Sequence, residues 1–313
     1  MRRRVLRRVF VLPAVAVLAV PLVAGCSGGS DVKVSVKGAF GRLPEVSFPK
    51  GGPEGSFAVK TLKAGKGTAA RKGDLVMADY VGYRWSKSGR KLVASSYADG
   101  RPGFFSTWQL VPGLVKALDG ARPGSRVVAR IPPKDGFGAS GDARHQVGPG
   151  DTLVYVLDVL GVYSGKAGPH GQKQAPLDDA KLPGVADAPA GRTPVVTVPK
   201  VAAPKKLQVR TLVRGDGPVL RKGQLLATQY AGYFWRDGRV FSSSWSAGHP
   251  FGVVVGTGQV MKGWDQALLG QRVGSRLLLV VPPSLGYGSK GLAQYGIRGS
   301  DTLVFVVDLL GAH

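Results

Sequence analysis

Side chains able to do covalent or metal chemistry are scarce in this 313-residue chain, and their spacing does not suit such chemistry. The four histidines, His145, His170, His249 and His313, include no pair at metal-ligand spacing. Cys26 is the single cysteine, which excludes both an internal disulfide framework and a cysteine-based zinc site. Gly286-Tyr287-Gly288-Ser289-Lys290-Gly291 has the glycine spacing of a dinucleotide-binding turn, but it follows Pro282-Pro283 and opens no periodic helix. Gly25-Cys26-Ser27-Gly28-Gly29 mimics the nucleophile elbow of a hydrolase, yet it lies at the end of an apolar leader. The residues therefore call for no metal and no cofactor.

The leader is the first informative segment. Met1 to Phe10 is cationic, and Val9 to Ala24 is apolar and ends in small residues, the layout of a secretory signal peptide over 1–25. Val23-Ala24-Gly25-Cys26 resembles the bacterial lipobox, which implies a lipidated Cys26 and anchorage to the outer face of the bacterial cytoplasmic membrane. The formal charge of +24 falls to about +19 once Arg2, Arg3, Arg4, Arg7 and Arg8 leave with the leader. The remaining basic residues are dispersed, with doublets at Arg71-Lys72, Lys205-Lys206 and Arg221-Lys222. No run is dense enough for a nucleic-acid arm.

Hydrophobic residues at 43% and charged residues at 20% describe a globular chain, and 47 glycines with 22 prolines point to turn-rich β structure. The architecture follows from an internal repeat at an offset of 150 residues. Arg71-Lys72-Gly73-Asp74-Leu75 recurs as Arg221-Lys222-Gly223-Gln224-Leu225, and Tyr80-Val81-Gly82-Tyr83 as Tyr230-Ala231-Gly232-Tyr233. Pro132-Pro133 recurs as Pro282-Pro283, and Asp151-Thr152-Leu153-Val154 as Asp301-Thr302-Leu303-Val304. Two copies of one domain are expected, at 56–163 and 206–313. Residues 26–55 read as a flexible tether, and the proline-, alanine- and lysine-rich 164–205 as a semi-extended linker. Within the second copy, Leu225 to Trp235, Arg239 to Ser243, Ser275 to Val281 and Thr302 to Leu310 read as strands, and only Gly263 to Leu269 as a helix. The fold class is α+β, with each domain a bent antiparallel sheet wrapped around one short helix.

In this order the elements of 207–312 resemble the FKBP-type peptidyl-prolyl isomerases. The resemblance rests on Gln229-Tyr230-Ala231-Gly232, Gly238-Arg239-Val240-Phe241, Pro250-Phe251, Gly258-Gln259-Val260-Met261-Lys262-Gly263-Trp264, Pro282-Pro283-Ser284-Leu285-Gly286-Tyr287-Gly288 and Thr302-Leu303-Val304-Phe305. It implies a catalytic set of Tyr230, Phe241, Trp264, Tyr287 and Phe305, with Trp264 as the floor and the Tyr287 phenol donating to a ligand carbonyl. It also implies substrate contacts from Ser242, Phe251, Val260, Met261 and Ile297. The family commonly has Asp where Ser242 stands. Such a protein is a monomer that isomerises X-Pro bonds in exported polypeptides without metal or cofactor. The other reading of the same modules is a non-catalytic binder of proline segments or partner proteins, a chaperone on the membrane surface.

The first copy keeps the framework and changes the site. Leu114 stands at the position of Trp264, Val93 at Phe241, Ala94 at Ser242 and Phe137 at Tyr287. Ser86 to Leu92 gains two residues and Pro102 to Gly113 loses two, so Phe104 or Phe105 corresponds to Phe251 and Leu110 to Val260. The first copy is expected to fold but to isomerise weakly or not at all.

Overall fold

A computed structural model of the chain describes residues 31–175, 179–186 and 188–313. The segment read as a signal peptide, 1–25, and Cys26 lie outside the described residues. The first copy comprises β3 (Ala58–Lys63), β4 (Leu75–Ser86), β5 (Gly89–Ser95), α1 (Ser96–Asp99), β6 (Gly103–Ser106), α2 (Pro112–Leu118), β7 (Arg126–Ile131) and β8 (Thr152–Tyr163). Its sheet is antiparallel in the order β3-β7-β8-β4-β5, and β6 pairs with the start of β4. The second copy repeats this with β12 (Gln208–Gly215), β13 (Leu225–Phe234), β14 (Val240–Ser243), α3 (Ser244–Ala247), β15 (Phe251–Val254), α4 (Lys262–Leu268), β16 (Arg276–Val281) and β17 (Leu303–Ala312). Its order is β14-β13-β17-β16-β12, and β15 pairs with β13.

Each sheet curls around its longer helix because that helix has a single apolar face. Leu114, Ala117 and Leu118 of α2 are buried against one sheet, and Trp264, Ala267 and Leu268 of α4 against the other. The opposite face of each sheet is also covered, which the sequence reading did not anticipate. Residues 26–55 were expected as a flexible tether, but within them β1 (Ser35–Lys37) and β2 (Glu45–Ser47) form an antiparallel hairpin. Val32, Val36, Val46 and Phe48 of this segment pack on Val81, Trp85, Val128 and Val154.

The linker behaves in the same way. β9 (Gly171–Lys173) adds to the free edge of β12, and β10 (Gly184–Ala186) pairs with β11 (Val195–Thr197). Leu182, Val185 and Val196 cover Tyr233, Trp235, Leu278 and Val306. Proline excludes helix from both segments, but short hairpins tolerate it, and burying alternate valines offsets the cost of ordering them.

Buried ion chemistry fixes the first hairpin in place. Arg126 Nε donates to Asp158 Oδ1 at 2.6 Å, while its Nη atoms donate to the carbonyls of Gly38, Ala39 and Arg42 at 2.6, 2.8 and 3.1 Å. The Gly41 amide donates to Asp158 Oδ2 at 2.6 Å. Arg130, 2% exposed, donates to the carbonyls of Val32 and Ser56. The charges are thus surrounded by acceptors, as buried charges require.

The two domains share an apolar seam. Leu75 and Met77 of β4 meet Leu225 and Ala227 of β13, Val254 of β15 and Leu310 of β17, with Phe104, Trp108 and Tyr163 at the margin. The Tyr163 hydroxyl lies 2.9 Å from His313 Nε2, and Gln229 Nε2 donates to the Gly165 carbonyl at 2.8 Å.

Candidate functional site

In the second domain the concave face of the sheet is not filled by α4. A cavity of about 420 Å³ remains, lined by Tyr230, Phe241, Ser242, Phe251, Gln259, Val260, Met261, Trp264, Tyr287, Tyr295 and Phe305. Sequence reasoning singled out all of these except Gln259 and Tyr295. Tyr295 is 46% exposed and comes from the loop after Tyr287, where no periodicity marks a residue as facing inward. Ile297, 4% exposed, packs in the same buried cluster as Trp264 and Phe305 and is not among the side chains that line the cavity. Its backbone pairs with Leu292, which pulls the side chain inward.

The lining is a continuous edge-to-face chain of rings. Phe251 meets Tyr230 at 5.5 Å, Tyr230 meets Trp264 at 5.5 Å, Trp264 meets Phe305 at 5.4 Å and Phe305 meets Phe241 at 5.7 Å, with interplanar angles from 69° to 87°. Such packing holds each ring in one orientation. Gly232 allows the chain to close: a Cβ there would stand 2.5 Å from Phe241 Cζ. The polar groups are few and specific. The Tyr230 hydroxyl is 2.9 Å from Ser242 Oγ, so Ser242 orients it where the family commonly has a carboxylate. Among the described residues no hydrogen bond takes up the Tyr287 hydroxyl, which stands on a side chain 36% exposed at the rim. Burial, with smaller contributions from Tyr230 and Tyr295, raises its pKa above the ordinary phenol value, so it is a proton donor at neutral pH.

The same place in the first domain is lined differently. Tyr155 pairs with Gly82 as Phe305 pairs with Gly232, but its ring swings over Gly82, where a Cβ would lie 2.7 Å from Tyr155 Cε1. The ring that covers this glycine is therefore Tyr155 of β8 in the first copy and Phe241 of β14 in the second. Burial pushes the Tyr155 phenol up to about 12. Leu114 is buried as the floor, and Phe137 stacks on His145 at 5.9 Å. Register corrects the equivalence expected for Phe251. Ala78 pairs with Gly103 as Thr228 pairs with Phe251, so glycine holds the wall position, and the Tyr80 ring lies over it. Phe104 corresponds to Gly252 and Phe105 to Val253. Leu110 precedes the Val111 cap of α2 as Val260 precedes the Met261 cap of α4, as expected. The glycine-rich run at 286–291 forms a 3-10 turn over Gly288–Lys290 and no long helix.

The sequence model for the FKBP-type peptidyl-prolyl cis-trans isomerases matches residues 66–160 and again 217–310, one match per domain. The chain belongs to this family. It is 38% identical over 117 residues to an FK506-binding protein of Streptomyces anulatus, covering 37% of this chain and 94% of that one. It is 45% identical over 118 residues to the peptidyl-prolyl cis-trans isomerase FKBP2 of Bos taurus, covering 37% and 83%. Among solved structures, AtFKBP13 matches at 33% identity with a TM-score of 0.33, covering 36% of this chain and 96% of that chain. With two such domains, this FKBP-family isomerase carries an aromatic cavity in the second and a differently lined counterpart in the first.

Proposed function

We propose that the C-terminal domain is the catalytic one and that it isomerises X-Pro bonds in exported polypeptides, the chain being held at the membrane by lipidated Cys26. The observation that carries this reading is the contrast between the copies. The second keeps a cavity of about 420 Å³ floored by Trp264, whereas in the first Tyr155 lies over Gly82 and leucine replaces the floor.

Rotation about an amide passes through a twisted state that has lost resonance, against a barrier of about 18–20 kcal/mol. The twisted amide is less polar than the planar one, so moving it from water into an apolar cavity favours it over the ground state. In this reading the proline ring packs against Trp264, Phe241 and Phe305, which line the cavity. The Tyr287 hydroxyl is placed to donate to a carbonyl of the bound segment, and no group has to form a bond to substrate. Ser242 orients the Tyr230 hydroxyl with a neutral hydrogen bond in place of a charged one, which predicts slower turnover than an aspartate would support.

The test is a protease-free isomerisation assay on the full chain with Trp264→Ala and, separately, Leu114→Ala. Trp264→Ala should remove at least nine-tenths of the activity, and Leu114→Ala should leave it within two-fold. A wild-type chain that binds proline peptides without accelerating their exchange identifies a binding module instead. Cys26→Ser should release the protein from the membrane fraction and lower its mass by the acyl groups. An unchanged mass and distribution refutes the anchor.

A further inference from the structure

The pocket wall formed by Phe251 is the least supported part of the site within its own domain. β15 has four residues, pairs among the described residues with β13 alone, and leaves Phe251 41% exposed. A short edge strand of this kind is among the first elements to open locally. Its outer side is braced by the other domain. Trp108 stacks on His249, two residues before Phe251, with ring centroids 3.7 Å apart and planes 13° from parallel. His249 Nδ1 is buried and has no hydrogen-bond partner among the described residues, so stacking rather than hydrogen bonding holds this ring. On the other side of Phe251, the Phe104 ring covers Gly252 so closely that a Cβ would stand 2.6 Å from Phe104 Cδ1.

The two copies are complementary here. At the same pair of register positions the first domain has Gly103-Phe104 and the second has Phe251-Gly252. The ring that forms a pocket wall in the second copy has moved over by one residue in the first. A one-residue move along a strand turns a side chain to the opposite face, here out of the site and onto the neighbouring domain.

We infer that Phe104 and Trp108 of the N-terminal domain are positioning residues for the pocket of the C-terminal domain. They clamp β15 on both sides of Phe251 and so set the affinity for an apolar residue before proline. The inference rests on the C-terminal pocket being the substrate site. It gives the first domain a task that needs the fold and not the activity.

The experiment uses the full chain with Trp108→Ala, Phe104→Ala, Gly252→Ala and the conservative Trp108→Phe. Kd, KM and kcat are measured by exchange NMR on tetrapeptides with Leu or Ala before proline. An aromatic contact of this class corresponds to roughly two- to ten-fold in binding. The expected result is a Kd and KM raised about five-fold for the Leu-Pro peptide and less for Ala-Pro, with kcat within two-fold and recovery in Trp108→Phe. Gly252→Ala pushes Phe104 off the strand and should reproduce the effect without removing a ring. Constants within two-fold of wild type for both peptides would overturn the inference. So would a parallel loss of kcat and affinity for both peptides with a lower melting temperature and no recovery in Trp108→Phe, because that pattern marks a role in folding alone. A wild type that binds without turnover refutes catalysis by the C-terminal domain, and the Kd comparison still decides the role of the clamp.

Discussion

Replacing Tyr287 with Phe removes one oxygen from the rim and nothing else, which separates the chemistry of the site from its packing. In the protein the hydroxyl has no partner among the described residues and the side chain is 36% exposed, so its loss leaves no buried group unpaired. The expected cost to folding is below about 0.5 kcal/mol, as for a surface substitution. In the proposed mechanism the same hydroxyl donates to a substrate carbonyl in the transition state, a neutral hydrogen bond of about 0.5–1.5 kcal/mol net. At about 1.4 kcal/mol per decade this predicts a loss of about 2- to 13-fold in kcat/KM. Burial holds the phenol pKa above its ordinary value, so the donor stays protonated through the assay range and the deficit should be independent of pH there. Exchange NMR on an X-Pro tetrapeptide with the full chain supplies the rate, and thermal unfolding supplies the control. The first domain has Phe137 at this position, so the measured phenol is not duplicated. A Tyr287→Phe variant with wild-type kcat/KM, or one whose deficit follows a fall in melting temperature, refutes the assignment of Tyr287 as donor.

Two further predictions concern the scaffold. Arg126→Met leaves Asp158 buried against Gly41 and Tyr97 without its counter-charge, and should cost about 3–5 kcal/mol in denaturant unfolding while releasing the β1–β2 hairpin to proteolysis. His313 should make the seam between the domains sensitive to acid. Burial lowers its pKa, with Asp79 opposing, so the open or unfolded state binds the proton more readily. Its stabilising effect is therefore complete above about pH 6.5, the ordinary histidine value, and is lost as pH falls below it. The difference in melting temperature between wild type and His313→Asn should shrink from pH 7.5 to pH 5.

The repeated strands and the helix were legible in the sequence because each carries a local signal. Proline pairs end strands, Tyr-x-Gly-Tyr recurs at a fixed offset, and Trp264, Ala267 and Leu268 share one helix face. Most of the pocket was legible through family resemblance. The hairpins were missed because proline and glycine content outweighed a quieter pattern. Val32, Val34 and Val36 alternate strictly. Gly41-Arg42, Pro44, Val46 and Pro49-Lys50 recur 150 residues later as Gly191-Arg192, Pro194, Val196 and Pro199-Lys200. The unbroken apolar run Leu277 to Val281 also signalled a strand covered on both faces. The Phe251 equivalence went astray because a two-residue deletion leaves a choice of register that only the pairing of β6 with β4 decides.

The divergence of the copies follows from what an open site costs. A cavity walled by rings forgoes contacts that a filled core would make, and it persists only where function demands it. In the first domain the rings sit differently: Tyr155 covers Gly82, Tyr80 covers Gly103, and Leu114 is buried at the floor position. The glycine at 103 belongs to the same one-residue shift that carries Phe104 onto the seam, whereas Tyr155 and Leu114 lie outside both the seam and the hairpin. The exchange at Gly103-Phe104 thus takes a wall from the first site and gives a contact to β15 in one step. If the C-terminal copy is the catalytic one as proposed, the first copy is free to lose its wall while bracing its neighbour, whereas the second must keep Phe251 at the edge of an unfilled space. That asymmetry predicts that substitutions filling the first pocket further are tolerated, while the reverse exchange, Phe251→Gly with Gly252→Phe, removes the wall and forces two rings into contact across the seam. The exchanged chain should lose X-Pro affinity and the tight contact between the domains together.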